Sequence, residues 1–114
     1  MKVVFTLICT LFFLNYSTAQ CWQSVSAGTD HTLAIRTGGT LWVWGGNSFG
    51  QLGDGTITDR NNPLKIGVAT DWQSISAGDG YSIAIKTDGT LWAWGSNGSG
   101  GVGRWHNYRK TCPC

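Results

Sequence analysis

An internal repeat with an offset of 50 residues constrains this chain more than any other feature of its sequence. Residues 22–28 recur as residues 72–78, and the match continues without a gap to Gly50 and Gly100. About 17 of the 29 aligned positions are identical, and the others include conservative exchanges such as Leu33/Ile83, Arg36/Lys86 and Val43/Ala93. A fixed period of this length is typical of solenoids and propellers, in which each unit buries its apolar surface against its neighbours.

Each copy of the repeat contains short segments in which polar and apolar residues alternate, which is the pattern of a β-strand. Residues 24–27 and 31–36 alternate in this way. Residues 40–44 place Leu41 and Val43 on one face and two Trp on the other, so we expect other sheets to cover this segment on both sides. Residues 64–68 follow a Gly- and Asn-rich loop and can form a fourth, outer strand.

The turns between these segments agree with an antiparallel arrangement. Asp88-Gly89 separates two alternating runs, which is a strong hairpin signal, and Gly38-Gly39 takes the same position in the first copy. No helical apolar stripe occurs in the sequence. The pattern therefore predicts an all-β fold made of β-propeller blades, each with four antiparallel strands.

The first residues have the composition of a secretory signal peptide. Lys2 precedes an apolar run over residues 3–14, and Ser17 and Ala19 supply small residues before a cleavage site. We expect residues 1–19 to be removed between Ala19 and Gln20 and the mature chain to be secreted, to the periplasm or the medium. The apolar run is too short to span a bilayer, so we predict no membrane span in the mature chain. A buried N-terminal strand or helix is the alternative.

The repeat resembles a known family at two stretches. Residues 25–35 read Val-Ser-Ala-Gly-Thr-Asp-His-Thr-Leu-Ala-Ile, and residues 41–45 and 50–56 read Leu-Trp-Val-Trp-Gly and Gly-Gln-Leu-Gly-Asp-Gly-Thr. Both stretches resemble the regulator-of-chromosome-condensation repeat. The positions that carry the resemblance, for which the family implies a structural role, are Gly28, His31, Trp42, Trp44, Gly45, Gly50 and Gly53 in the first copy and Gly78, Tyr81, Trp92, Trp94, Gly95 and Gly100 in the second.

The resemblance implies a propeller of seven blades, of which this chain holds about one and two-thirds. Residues 20–71 are expected to form the first repeat and residues 72–103 a second, incomplete one. Tyr81 departs from the family pattern, which has His at that position. Because blades bury their faces against neighbouring blades, we expect further repeats to be needed for a stable fold.

Residues 104–114 break the repeat and are predicted to be an aberrant tail. Back-translation in a frame shifted by one base restores a Gly-Leu-Gly-Asp-Gly-Thr stretch, and Trp105 followed by His106 must then yield the Gly that the repeat requires. We interpret the tail as the product of a frameshift, with a natural divergent C-terminus as the alternative. Cys112 and Cys114 are too isolated there to indicate a metal or redox site.

No pattern in the sequence indicates catalysis. The chain has no Glu, its Asp residues are scattered mainly in turns, and His31 begins a strand, where the family uses it structurally. Residues 54–59 resemble a loose calcium loop but lack the alternating acidic ligands of such a site. The paired Trp recur in each copy, which favours core packing over a sugar-binding platform. We predict no catalytic residue, no cofactor and no metal.

Composition also bears on partners. The body of the chain carries four Lys and Arg against six Asp, so no basic patch points to nucleic acid. We therefore expect a secreted, non-catalytic propeller scaffold that binds a protein or a cell-surface ligand. The alternatives are an enzyme inhibitor of the β-lactamase-inhibitor-protein type and a guanine-nucleotide exchange factor. The signal peptide and the absence of a basic tail argue against the exchange factor.

Overall fold

The computed structural model describes residues 21–96 and the backbone of residues 108–111. These residues form two four-stranded antiparallel sheets, each with its strands in sequence order. The first sheet contains β1 (Trp22–Ala27), β2 (His31–Arg36), β3 (Thr40–Gly45) and β4 (Arg60–Ile66), and the second contains β5 (Trp72–Ala77), β6 (Tyr81–Lys86), β7 (Thr90–Gly95) and β8 (Tyr108–Thr111). The predicted all-β fold of four-stranded blades is confirmed.

The two sheets repeat each other in register as well as in sequence. In the first sheet Trp22 pairs with Arg36 and Ser24 with Ile35, with a bulge between the two pairs. In the second sheet Trp72 pairs with Lys86 at the same point, again followed by a bulge. A bulge increases the local twist of a strand. Both blades therefore acquire the same twist at the start of their first strand.

Each blade has two unlike faces because side chains alternate along a strand. We call one the Trp face: it carries Trp22, Trp42 and Trp44 in the first sheet and Trp72, Trp92 and Trp94 in the second. We call the other the aliphatic face: it carries Leu33, Ile35, Leu41 and Val43 in the first sheet and Ile83, Ile85, Leu91 and Ala93 in the second.

The core lies where the aliphatic face of the first sheet meets the Trp face of the second. Leu33, Leu41 and Val43 are completely buried there, and Trp72 and Ala84 pack against them from the second sheet. Burial of one such aliphatic side chain contributes about 2 kcal/mol. The second sheet thus covers the face of β3 that carries Leu41 and Val43, with Trp92 and Trp94 packed against this core. The predicted cover on both sides is wrong for the described residues, because no second sheet lies on the Trp face of β3.

Backbone contacts fix the second blade against the first. The amide of Trp72 donates to the carbonyl oxygen of Gly39 at 3.1 Å, and the amide of Ala77 donates to Ser26 Oγ at 2.9 Å. Gly39 has a positive φ, and a Cβ at this position would overlap the carbonyl oxygen of Thr70. The β2–β3 turn can therefore approach the link between the blades only because residue 39 is Gly.

The fourth strand of the second sheet comes from the predicted aberrant tail. Residues 108–111 pair with β7, so that Ala93 faces Tyr108 and Leu91 faces Lys110. In the first sheet the partner of Leu41 is Ile66. The tail thus supplies an edge strand, while its origin in a shifted reading frame stays a prediction. Among the residues described, no helix is long and apolar enough to cross a membrane.

A pair of glycine variants tests the docking of the β2–β3 turn. Gly38 and Gly39 both have positive φ, but a Cβ at Gly38 would meet open space. Gly38→Ala should lower the free energy of unfolding by about 1–2 kcal/mol through backbone strain alone. Gly39→Ala should cost about 1–3 kcal/mol more, because the link must also move. Urea denaturation measures both, and equal losses would contradict this account of the turn.

Candidate functional site

Two signature residues, His31 and Trp94, belong to a hydrogen-bond network around a single carbonyl group between the two sheets. After β3 the chain turns at Gly50, which has a positive φ, and carries Gln51 and Leu52 into full burial. The carbonyl oxygen of Gln51 accepts hydrogen bonds from Ser82 Oγ at 2.6 Å and from Trp94 Nε1 at 2.8 Å. We call this set of contacts, together with His31, the seam. It joins the loop of the first blade to β6 and β7 of the second.

His31 completes the seam from the start of β2. Its Nε2 lies 2.9 Å from Ser82 Oγ. Because the single hydroxyl proton of Ser82 goes to Gln51, Nε2 has to carry the proton in the His31–Ser82 hydrogen bond. His31 is therefore the Nε2–H tautomer when neutral. Among the residues described, its buried Nδ1 has no hydrogen-bond partner, and it lies 3.7 Å from the Asp30 carboxylate.

The electrostatics of the seam favour neutral His31. Burial lowers the pKa of His31 below its ordinary value of 6.5, against the smaller opposing effect of the Asp30 carboxylate. A neutral imidazole whose proton is already donated to Ser82 is suited to holding two sheets together. His31 thus contributes a hydrogen bond between the first sheet and the second.

The Gln51 side chain ties the seam to its own blade. Its Nε2 donates to Asp30 Oδ1 at 3.2 Å, and its Oε1 accepts from the amide of Phe49 at 2.9 Å. Gln51 is thus held from both blades. Its side chain bonds within the first blade, and its carbonyl oxygen accepts from Ser82 and Trp94 of the second. Gln51 stands in the Gly-Gln-Leu-Gly stretch of the repeat, but the sequence alone did not single it out.

Two signature glycines provide the space for the close contact between blades. A Cβ at Gly28 would lie 2.5 Å from the Gly78 carbonyl oxygen and 2.6 Å from the His31 ring. A Cβ at Gly53, which has a positive φ, would lie 2.7 Å from Trp94 Nε1. Any larger residue at either position would push the sheets apart.

The remaining signature residues take equivalent positions in the two blades. Tyr81 begins β6 as His31 begins β2, and its ring lies against Gly78 as the ring of His31 lies against Gly28. Gly45 and Gly95 end β3 and β7 with positive φ. Gly100 and the cleavage-site residues Ala19 and Gln20 lie outside the described residues.

A basic side chain covers the tryptophans of each Trp face. The Arg36 guanidinium lies 4.4 Å from the ring centroid of Trp22 and 4.2 Å from that of Trp42. Lys86 repeats this arrangement over Trp72 and Trp92, at 4.9 Å from each. Such cation–π contacts contribute about 0.5–2 kcal/mol, depending on their exposure. Arg36 and Lys86, which align in the repeat, therefore make the same cation–π contacts in their two blades.

The loop between β3 and β4 is organised around a buried amide. Asn47 Nδ2 donates to Asp54 Oδ1 at 3.1 Å and to the carbonyl oxygens of Thr56 at 2.9 Å and Thr58 at 3.0 Å. Its Oδ1 accepts from the amide of Leu52 at 3.0 Å. Residues 54–59, the stretch that resembles a calcium loop, therefore direct oxygens at the Asn47 amide. These hydrogen bonds hold the stretch in one conformation.

Asp54 strengthens the same loop. It accepts from the Thr56 hydroxyl at 2.7 Å and from Arg60 Nε at 3.0 Å. Partial burial alone would raise the pKa of Asp54, but hydrogen bonds from Thr56, Arg60 and Asn47 outweigh it and lower the pKa to about 2. The carboxylate is thus ionised at all ordinary pH values. Among the described residues, no three His, Cys, Asp or Glu side chains come together as metal ligands.

This ordered loop between β3 and β4 displays two large apolar side chains. Phe49 and Ile57 are both strongly exposed. The Phe49 ring lies beside Gly80 in the β5–β6 turn, where an added Cβ would come within 2.8 Å of it. We call the exposed part of this loop, which carries Phe49 and Ile57, the loop rim. Large apolar side chains on rigid loops are a common feature of protein-binding surfaces.

Comparison with protein families identifies the repeat. The family model for the regulator of chromosome condensation (RCC1) repeat matches residues 22–51 and 72–100, and a second model of the same repeat matches residues 38–85. The chain belongs to the RCC1 repeat family. The predicted family is thereby confirmed, and the seam, the Trp face and the loop rim are features of RCC1-type blades in this chain.

The chain is similar to parts of larger proteins. It is 39% identical over 44 residues to the ultraviolet-B receptor UVR8 of Arabidopsis thaliana, a match that covers 39% of this chain and 10% of the receptor. Its fold matches human WBSCR16 with a TM-score of 0.64 at 23% identity, covering 73% of this chain and 23% of that one.

Two yeast structures show the same fold. The structure of Kap60 bound to yeast RCC1 (Prp20) matches with a TM-score of 0.60 at 22% identity, covering 70% of this chain and 21% of that chain. Prp20p from Saccharomyces cerevisiae, studied for its binding to Gsp1p and histones, matches with a TM-score of 0.54 at 28% identity, covering 65% and 18%. This chain therefore spans less than a quarter of each of these proteins.

The seam predicts a specific dependence of stability on pH. Because the pKa of His31 is lower in the folded chain than its unfolded value of 6.5, the unfolded chain binds more protons as the pH falls. Stability should therefore be complete above about pH 6.5 and should decrease as the pH falls from there towards the folded pKa. Thermal melting between pH 7.5 and pH 5 measures this decrease.

His31→Gln is the matched test, because a Gln amide can donate to Ser82 but does not titrate. Its melting temperature should change less over the same pH range than that of the wild type. His106→Gln should leave the wild-type decrease unchanged. An equal decrease in wild type and His31→Gln would show that the titration of His31 does not control the seam.

Proposed function

We propose that this chain is a secreted, non-catalytic RCC1-repeat scaffold that binds a protein or cell-surface ligand through the loop rim. The observation that carries the proposal is the loop over residues 46–59, where buried Asn47 fixes the backbone while Phe49 and Ile57 stay exposed. A rigid loop loses little conformational entropy when it binds, so its exposed apolar residues can contribute most of their burial energy to affinity.

Three further observations support the proposal. The leader-like composition of residues 1–19 supports export. His31 is buried in the seam with Nε2 engaged by Ser82, which supports a non-catalytic role for it. Solved structures of this fold include proteins studied in complex with, or for binding to, other proteins. The enzyme-inhibitor and exchange-factor alternatives gain no specific support from the described residues.

The proposal is tested by capture with paired variants. The chain carrying Phe49→Ser and Ile57→Ser should lose at least about tenfold of any partner recovered from the culture medium or surface proteins of the producing cells, since each lost apolar contact removes roughly 1–2 kcal/mol. Val68→Ser is the matched control. It also removes an exposed apolar side chain, but from the link between the blades instead of the loop rim.

Quantitative mass spectrometry of the captured proteins gives the result. A partner retained equally by all three proteins would exclude the loop rim as the binding surface. The same measurement reads the N-terminus of the exported chain, which we expect to be Gln20. Recovery of the chain only inside the cell, with Met1 intact, would refute the secreted part of the proposal.

A further inference from the structure

Charge is distributed unequally between the two ends of the strands. One end, which we call the loop end, carries the β1–β2 turn, the β3–β4 loop and the β5–β6 turn. Contacts join these segments: the Gly46 amide donates to the Asp30 carbonyl oxygen at 2.7 Å, and the Phe49 ring lies beside Gly80. Among the described residues, the charged side chains of the loop end are Asp30, Asp54, Asp59, Arg60 and Asp79. Those towards the opposite end are Arg36, Lys65, Asp71, Lys86 and Asp88. The loop end is therefore the negative end.

Three of the carboxylates at the loop end are exposed and not neutralised. Arg60, the only Lys or Arg that the described residues place there, pairs with Asp54 at 3.0 Å. The Asp30 side chain is 53% exposed, and Asp59 and Asp79 are also exposed. Within the described part of the chain, none of these three pairs with a Lys or Arg. We call Asp30, Asp59 and Asp79 the acidic flank.

Two members of the acidic flank lie next to the aromatic ring of the loop rim. The Gln51 amide group joins Phe49 to Asp30, because its Oε1 accepts from the Phe49 amide and its Nε2 donates to Asp30 Oδ1. On the other blade, Asp79 directly precedes Gly80, which lies against the Phe49 ring. An apolar group that packs on Phe49 therefore brings its own neighbours close to both carboxylates.

A buried acceptor adds to the negative potential at Asp30. The His31 side chain is completely buried, and because its Nε2 carries the proton donated to Ser82, its Nδ1 faces Asp30 Oδ1 at 3.7 Å as a second acceptor. No donor among the described residues reaches Nδ1. Two acceptors that face each other without a donor favour a cationic hydrogen-bond donor at the exposed side of the carboxylate.

We propose that the partner of the loop rim is a basic protein segment, in which an apolar side chain packs on Phe49 and Ile57 while flanking Lys or Arg side chains pair with Asp30 and Asp79. This inference rests on the proposed function and adds the chemistry of the partner. Charge complementarity selects a protein over an anionic surface, because the acidic flank repels the phosphate and carboxylate groups of lipids and polysaccharides. Such exposed pairs act mainly on the association rate.

The test uses immobilised synthetic peptides of about 12 residues as probes. One peptide has a central Leu flanked by two Arg, the second has Glu in place of both Arg, and the third has Ser in place of Leu. Surface plasmon resonance measures how each retains the chain purified from the cells that make it. The first should be retained at least about tenfold more than the others at low salt, and this preference should fall at least about threefold in 0.5 M NaCl.

Variants assign the preference to particular carboxylates. The double variant Asp30→Asn with Asp79→Asn should lower the preference for Arg over Glu about three- to tenfold. Asp79→Glu keeps the charge and should behave like the wild type. Asp71→Asn is the matched control, because it removes a carboxylate from the opposite end, where Asp71 lies 3.6 Å from Lys86. Thermal melting of each variant separates a lost charge from a failure to fold.

Several results would overturn the basic segment as partner. These are equal retention of the Arg and Glu peptides, equal retention of the peptide without Leu, a preference that survives in the double variant or in high salt, or stronger binding to phosphatidylglycerol vesicles than to any peptide. A protein captured through Phe49 and Ile57 but retained equally by the double variant would also overturn it, while leaving the loop rim as the binding surface. Retention of the Leu peptide by Phe49→Ser with Ile57→Ser would instead contradict the proposed function.

Discussion

The carbonyl group of Gln51 is the point on which the arrangement of the blades depends. It accepts hydrogen bonds from the Ser82 hydroxyl and the Trp94 indole, both on the facing sheet. An unsatisfied buried indole or hydroxyl costs about 1–3 kcal/mol, so the loop that carries Gln51 cannot leave without exposing both donors. His31 extends the network by donating to Ser82, and Gly53 lets the loop lie against the Trp94 ring. Three signature residues, His31, Gly53 and Trp94, thus take part in this one interface.

The chemistry of the two faces explains why the seam is needed. Contact between an aliphatic face and a Trp face supplies most of the burial, but apolar contact is non-directional and does not fix a register. Hydrogen bonds are directional, so the register of the two blades is fixed by the seam, the Trp72–Gly39 backbone hydrogen bond and the Ala77–Ser26 hydrogen bond. The loop that completes the seam also forms the loop rim, because the segment after Gln51 continues into the Asn47-centred turn. The same loop therefore packs the two blades together and carries the exposed apolar residues of the loop rim.

Much of the fold follows from the sequence, because period-two alternation and Gly-containing turns report on local structure. The two-sided apolar pattern of residues 40–44 predicted cover on both faces; the second sheet covers the face of Leu41 and Val43, but no sheet of the described residues covers the Trp face. The long-range contacts did not follow, since His31 and Ser82 are 51 residues apart and no local pattern connects them. The role of Asn47 was missed for a different reason. It donates to the backbone carbonyl oxygens of Thr56 and Thr58, and such acceptors leave no mark in side-chain composition. The pairing of residues 108–111 with β7 was also not foreseen, because the tail has lost the repeat.

The central claim is that the seam makes the two blades one cooperative unit. Native-state hydrogen exchange at the Trp94 indole tests it most directly, because this proton lies in the bond to Gln51. If the claim is correct, the Trp94 proton exchanges only when the chain unfolds globally, with the same free energy as the amides of β2. Exchange of Trp94 at a clearly lower free energy than those amides would show that the blades separate while each stays folded, and would contradict the account.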